Sequence, residues 1–230
     1  MTTLLIWSNP RPLDQSYSLR VAKAFMDRYQ ELCPREEIIE LDVYKQPIPF
    51  LTGDVLECWD KLRGGAVFHD LSREAQGKLA ALDSLVEQFI DADKYIFVTP
   101  MWNLSIPPMM KAYIDTICIA GKTFKYTAQG AVGLLEGKKA VHIQARGGIY
   151  SQGPMAEFEF GDGYLRSILN FMGVTDLESV IVEGMFQHPE RAQDILQQAM
   201  QRAQQAAQRF ALPDMPVRVP DYQQPVHPIH

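Results

Sequence analysis

Five short apolar runs, Thr3 to Trp7, Glu37 to Leu41, Tyr95 to Val98, Ala140 to Gln144 and Ser179 to Glu183, most constrain what this chain can fold into. Most lack the alternation of a half-exposed strand, as expected for strands buried on both faces of a parallel sheet. Parallel strands need crossovers, and the segments between the runs have helical spacing. Leu71, Ala75, Leu79, Leu82, Val86 and Phe89 step by three and four onto one helix face, with Arg73, Glu74, Lys78 and Asp83 elsewhere. Ala192, Ile195, Leu196, Ala199, Ala203, Ala206 and Phe210 repeat the pattern in a Gln-rich final helix whose glutamines mark a solvated face. The alternation β-α-β-α-β-α-β-α-β predicts an α/β fold: a doubly wound, five-stranded parallel sheet in the order 2-1-3-4-5, with helices on both faces.

In that order the crevice lies between the first and third strands, outside their carboxyl ends. The loop after the first strand, Ser8 to Ser16, leads into a helix whose free backbone amides and positive dipole end favour a phosphate. Ser8, Gln15 and Ser16 can add side-chain donors; Ser16 is equally read as a plain N-cap. The loop after the third strand, Thr99-Pro100-Met101-Trp102-Asn103-Leu104-Ser105-Ile106-Pro107, offers backbone amides, an amide side chain and a flat aromatic between prolines. That set suits a planar heteroaromatic ring better than a metal or a nucleophile. The fourth strand runs into Arg146-Gly147-Gly148, where paired glycines let backbone approach a ring edge and Arg146 brings positive charge. His142, in the middle of that strand, is expected to be a buried, hydrogen-bonded histidine.

With 230 residues and 47% hydrophobic content the chain fits one domain with a substantial core. The balance of 22 Lys+Arg against 28 Asp+Glu, with basic residues scattered, argues against nucleic acid as a partner. No apolar run approaches the roughly 18 residues of a membrane span, and a soluble, cytoplasmic protein is expected. Cys33, Cys58 and Cys118 have no metal-like spacing, so neither disulfides nor a metal site is expected. A G-x-G-x-x-G fingerprint, a P-loop and a G-x-S-x-G elbow are all absent from the sequence, which disfavours a conventionally held dinucleotide or ATP and a serine hydrolase.

Two excursions interrupt the regular pattern. Pro47 to Asp70 carries turn residues together with Trp59 and Phe68; Lys122 to Gly137 has β-like Thr123 to Tyr126 and several glycines. Both read as lids or binding loops, or as plain surface loops. Pro213 to His230 holds five prolines and reads as an extended arm crossing a neighbouring subunit, with Tyr222 as an anchor, or as a loose end. The domain division is therefore 1–212 and a Pro-rich tail, 213–230. Helical residues Met109, Met110, Tyr113, Ile114, Ile117 and Cys118, within Pro107 to Ala120, are apolar around more of the helix than one buried face needs, which suggests a partner helix in a homodimer.

Asp14-Gln15-Ser16, Pro100-Met101-Trp102-Asn103, Thr123-Phe124-Lys125-Tyr126-Thr127, Gly137-Lys138-Lys139-Ala140 and Arg146-Gly147-Gly148, in that order, resemble the FMN-dependent NADH azoreductases, which are also quinone reductases. The resemblance spans roughly residues 1 to 210. It implies a flavodoxin-like homodimer with FMN in each subunit, reduced by NADH or NADPH and reoxidised by quinones, azo compounds or nitroaromatics in ping-pong fashion. Ser8, Gln15 and Ser16 would contact the FMN phosphate. Met101, Trp102, Asn103 and Leu104 would line the isoalloxazine, and Arg146, Gly147 and Gly148 would flank its pyrimidine side. Phe124, Tyr126 and Trp59 are candidate substrate walls or, equally, core or interface aromatics. Asp14 and Trp102 depart from the family's usual small polar residue and tyrosine. A flavin-binding electron carrier with no catalytic role would share the fold and is the alternative.

Overall fold

The computed structural model describes residues 1–212, and its elements are β1 (Thr2–Trp7), α1 (Tyr17–Leu32), β2 (Glu37–Asp42), α2 (Gly53–Arg63), α3 (Arg73–Asp91), β3 (Lys94–Pro100), α4 (Pro108–Ile117), β4 (Phe124–Thr127), β5 (Gly130–Gly133), β6 (Lys139–Arg146), α5 (Asp162–Phe171), β7 (Asp176–Glu183) and α6 (Ala192–Ala211). The main sheet runs β2-β1-β3-β6-β7, all parallel. Counting only its own strands, that is the expected order 2-1-3-4-5. The arm proposed for 213–230 lies outside the described residues.

Strand side chains alternate between the two faces, and each face has its own core. Leu5, Ile96, Val141 and Val180 pack beneath α1 and α6, against Phe25, Tyr29, Leu196 and Phe210. Leu4, Ile6, Phe97 and Leu177 pack on the other face with Phe89 of α3, Tyr113 of α4 and Leu165 of α5. Both faces of the sheet are covered, which explains why the strands lack alternation. Helix α4, capped by Pro107 with Pro108 in its first turn, buries Met110, Tyr113, Ile114 and Ile117 in its own subunit. Its apolar breadth is therefore largely accounted for within one chain.

The two excursions are ordered. Pro47 to Asp70 contains α2, whose Val55 and Cys58 pack on Leu79 and Leu82 of α3, with Trp59 against the same cluster. Lys122 to Gly137 contains the antiparallel hairpin β4–β5. A Cβ on Gly133 would lie 2.2 Å from the Gly173 nitrogen, so the hairpin lies directly on the backbone after α5. At the opposite edge from the strands' carboxyl ends, buried Lys94 lies 3.5 Å from Glu36. Glu36 also accepts from Thr3 (2.6 Å) and from the Tyr29 hydroxyl (2.7 Å).

Candidate functional site

The switch point is built first by the loop after β1. The Ser8 amide donates to the Val98 carbonyl (2.9 Å), tying this loop to β3. Asn9 Nδ2 donates to Ser16 Oγ (2.7 Å) and Ser18 Oγ (3.3 Å), and Asn9 Oδ1 accepts from the Arg11 amide (3.1 Å). Ser16 is the N-cap of α1, its Oγ accepting from the Leu19 amide at 3.3 Å. The first-turn amides of Tyr17 and Ser18 have no carbonyl four residues back, and the dipole's positive end lies there. The groups hydrogen-bonded around this terminus, Asn9, Ser16 and Ser18, are neutral. Ser8 Oγ is buried without a hydrogen-bond partner, a state that costs free energy until a ligand or water supplies one.

The loop after β3 forms the opposite wall. The Met101 amide donates to the Ala145 carbonyl (2.7 Å), and Trp102 and Ser105 exchange backbone hydrogen bonds of 2.9 and 3.0 Å. Between them Asn103 (φ 48°) and Leu104 (φ 69°) both adopt left-handed backbone, which makes a type I′-like turn. Asparagine tolerates that region; leucine does so at a cost of roughly 1–2 kcal/mol. The turn is bolted down by the Phe160 amide donating to the Leu104 carbonyl (3.0 Å) and Ser105 Oγ donating to the Phe160 carbonyl (3.2 Å). Tyr44, after β2, meets Trp102 edge-on at 6.2 Å between ring centres.

The loop after β6 supplies the third side. Arg146 is only 3% exposed, and its guanidinium lies 3.2 Å from Glu159 and 3.5 Å from Glu183. Its charge is thus engaged by two carboxylates at the wall of the cleft. Glu183 in turn accepts from the amides of Tyr150 (2.9 Å) and Ser151 (3.2 Å). A Cβ on Gly147 would stand 2.4 Å from the Phe186 ring, so absence of a side chain there is what lets Phe186 lie against the loop.

These loops enclose a cleft of about 220 Å³ lined by Gln15, Ser16, Met101, Trp102, Arg146 and Gly147 among the expected residues. Asn9, Arg11, Tyr17, Met185 and Phe186 line it too. Sequence reasoning missed Asn9, although an asparagine following β1 and preceding two serines was the available signal, and Phe186, which nothing local marked. Ser8 is wholly buried behind the wall. Asn103 borders an adjoining groove with Ser105, Ile106 and Lys111, and Trp102 lines both. Leu104 and Gly148 support the walls without lining the cleft; a Cβ on Gly148 would meet the Tyr150 ring at 3.2 Å. Phe124 is buried against Phe171, Trp59 packs on α3, and Tyr126 is 74% exposed on the hairpin. Asp14 borders a separate groove with Arg20, Lys23 and Asp27 and does not line the cleft.

Beneath the cleft His142 is fully buried, with Nε2 2.8 Å from Thr99 Oγ1 and Nδ1 2.7 Å from Asp162 Oδ1. Burial alone would raise the Asp162 pKa; the hydrogen bonds from His142 and Ser179 and the Arg166 charge outweigh it and hold the carboxyl well below the usual range. Among the described residues no group of His, Cys, Asp and Glu could hold a metal ion.

A family model described as flavodoxin-like fold matches residues 1–207. The chain belongs to this flavodoxin-like family. It is 52% identical over 207 residues to an FMN-dependent NADH:quinone oxidoreductase of Geobacillus kaustophilus, covering 90% of this chain and 98% of that one. A crystal structure of an azoreductase from Bacillus anthracis superposes with a TM-score of 0.85 at 38% identity, covering 91% of this chain and 99% of the other. An FMN-dependent NADH-azoreductase from the same species, solved in complex with FMN, gives 0.84 at 33% identity, with 92% and 99% covered.

Proposed function

We propose that this protein is an FMN-dependent oxidoreductase that takes a hydride from NADH or NADPH and passes it to quinones, azo compounds or nitroaromatics by a ping-pong mechanism. The observation that carries this reading is the convergence, in one cleft at the switch point, of an open helix terminus, a flat aromatic wall and a glycine edge. The relatives named FMN-dependent NADH:quinone oxidoreductase and azoreductase support it.

The residues present fit FMN. Ser8 Oγ, buried behind the wall, has no hydrogen-bond partner, and Gln15, Ser16, Asn9 and the first amides of α1 border the cleft as neutral groups that would hold a phosphate. Met101 and Trp102 provide the wall for the ring, with Asn103 and Leu104 shaping the turn that presents them. Gly147, with Phe186 against it, would border the ring edge, and Arg146, held by Glu159 and Glu183, would fix that loop in place. Bound FMN supplies the hydride-accepting and hydride-donating ring, so the chain needs no nucleophile of its own. The protein's part is to orient the ring, exclude water from one face and leave the other open to donor and acceptor in turn.

A homodimer fits the exposed aromatics near the cleft: Phe158, Phe160 and Phe186 are 44, 53 and 81% exposed, an unusual set for a free surface. Tyr126, Phe124 and Trp59 then divide. Tyr126, exposed on the hairpin, has surface to offer a substrate or a partner subunit, whereas Phe124 and Trp59 are taken up in packing. Among the described residues no helix is long and apolar enough to cross a membrane, and the cysteines are free thiols, in keeping with a cytoplasmic site of action.

The test is direct. Purified protein should be yellow, release FMN and not FAD on denaturation, and oxidise NADH steadily when a small quinone is added. Bound FMN without steady turnover would favour the electron carrier; a colourless protein that binds no FMN would refute the proposal.

A further inference from the structure

A line of polar side chains runs under the cleft, and its hydrogens fall into one arrangement. Arginine can only donate, so the Arg146 Nε–H to Gln144 contact of 2.7 Å fixes Oε1 of Gln144 as the acceptor. The other end of that amide, Nε2, therefore faces Thr99 Oγ1, at 3.5 Å. With its oxygen accepting there, the Thr99 hydroxyl hydrogen is free for His142 Nε2 at 2.8 Å. The Asp162 carboxylate, 2.7 Å away, can only accept, which puts a proton on His142 Nδ1 and leaves Nε2 of the neutral ring to accept from Thr99. Every link donates in the same direction, from Arg146 at the cleft wall to the carboxylate of Asp162.

This chain joins the parts of the site that most need fixing. Thr99 immediately precedes Pro100, Met101 and Trp102, and Arg146 immediately precedes Gly147. Asp162 opens α5, two residues after Phe160, which holds the strained Asn103–Leu104 turn. Thr99 and Gln144 are register partners across β3 and β6. Gly161 has no side chain because a Cβ there would lie 2.4 Å from Gln144 Nε2, so backbone closes over the middle of the chain. An apolar core would satisfy the packing at no desolvation cost, whereas buried polar groups are tolerated only when all are paired and then favour one arrangement.

We infer that Thr99, His142 and Gln144 are positioning residues: their one-directional hydrogen-bond chain holds the Met101–Trp102 wall and the Arg146–Gly147 wall at the separation that accepts the flavin ring. The inference rests on the FMN reading above. It goes beyond it by assigning a role to side chains that never reach the cleft.

The experiment compares Thr99→Val, which keeps the shape and removes the hydroxyl, with Thr99→Ser, which restores it. FMN affinity of the apoprotein is read by flavin fluorescence quenching. Gln144→Met, cutting the next link, provides a second route should Thr99→Val fold poorly, and melting temperatures are recorded for all. Thr99→Val and Gln144→Met should each weaken FMN about tenfold, with Thr99→Ser within twofold of wild type, and nitrogen-15 NMR should show His142 as the Nδ1–H tautomer. FMN affinity within twofold of wild type in both Thr99→Val and Gln144→Met would overturn the inference, as would Thr99→Ser binding as weakly as Thr99→Val, or an Nε2–H tautomer. Failure of wild type itself to bind FMN would refute the cofactor reading instead, so the two can be told apart.

Discussion

Gly147 and Phe186 offer the sharpest check on how the cleft is built. A Cβ on Gly147 would stand 2.4 Å from Phe186 Cδ2, 2.9 Å from Cε2 and 3.3 Å from Cγ, so in Gly147→Ala the ring must move. Backbone strain does not enter, because Gly147 is not among the positive-φ glycines. Phe186 is 81% exposed and can swing outward, so the fold should survive. Displacing the ring from its resting rotamer and contacts is worth about 1 kcal/mol, which corresponds to roughly a fivefold weaker FMN affinity if the ring is part of the cleft wall.

The assay is a double-mutant cycle on the FMN dissociation constant, with Gly147→Ala, Phe186→Ala and the pair. Gly147→Ala should weaken FMN about fivefold while the melting temperature changes by no more than about 2–4 °C. Phe186→Ala removes the wall outright and should weaken FMN by a similar factor. The double variant should then be no weaker than Phe186→Ala alone, since the alanine methyl has nothing left to displace. Losses in the double variant that equal the product of the single losses would refute the reasoning, because Gly147 would then be acting independently of Phe186.

Three other substitutions bear on the framework. Arg146→Met leaves Glu159 and Glu183 without their shared cation and should destabilise the fold by about 3–5 kcal/mol, measured by urea unfolding. Leu104→Gly places a residue suited to φ 69° in the turn and should raise stability by about 1 kcal/mol, whereas β-branched Leu104→Val should lower it. For Glu36, burial alone would raise the pKa, but hydrogen bonds from Thr3 and Tyr29 and the Lys94 charge hold it below 4.5. A depressed folded pKa means stability fully present above the unfolded value and lost as pH falls through the folded one. The melting-temperature gap between wild type and Glu36→Gln should accordingly be widest near neutral pH and narrow below pH 4.5.

The parallel sheet was legible because burial on both faces erases alternation, and the runs around Ile96 and Val141 carry that mark plainly. Helix α2 was not, since Pro47, Pro49 and Gly64-Gly65 flank a stretch whose apolar residues make only a small side cluster with α3. The hairpin was half visible: Phe124 to Tyr126 reads as β, but β5 is Gly-Ala-Val-Gly, with Gly133 required by close approach to Gly173 and Gly130 by its φ of 118°, neither of them a strand preference. The same limit applied at the site. Loops at strand ends could be found from order alone, so residues that line the cleft, Ser16, Met101, Trp102 and Gly147, were legible as candidates. The engagement of Arg146 by Glu159 and Glu183 depends on partners brought together only by the fold, and so does the placement of Phe186.

Two helix termini at this end of the sheet show why an anion should settle at α1 and not at α5. Both present free amides and a positive dipole end toward the carboxyl side of the strands. At α5 the chain fills the position itself: Glu159 accepts from the amides of Gly161 (2.8 Å), Asp162 (2.8 Å) and Gly163 (3.0 Å), with Arg146 alongside. A second anion there would meet a carboxylate already in place. At α1 the corresponding groups are the neutral side chains of Asn9, Ser16 and Ser18, and Asp14 lines another groove. Among the described residues the first turn of α1 thus carries no acidic side chain, and Arg11 lies at the cleft margin. A phosphate placed at α1 would meet the positive end of the helix dipole with no carboxylate already bonded to the first-turn amides, unlike at α5.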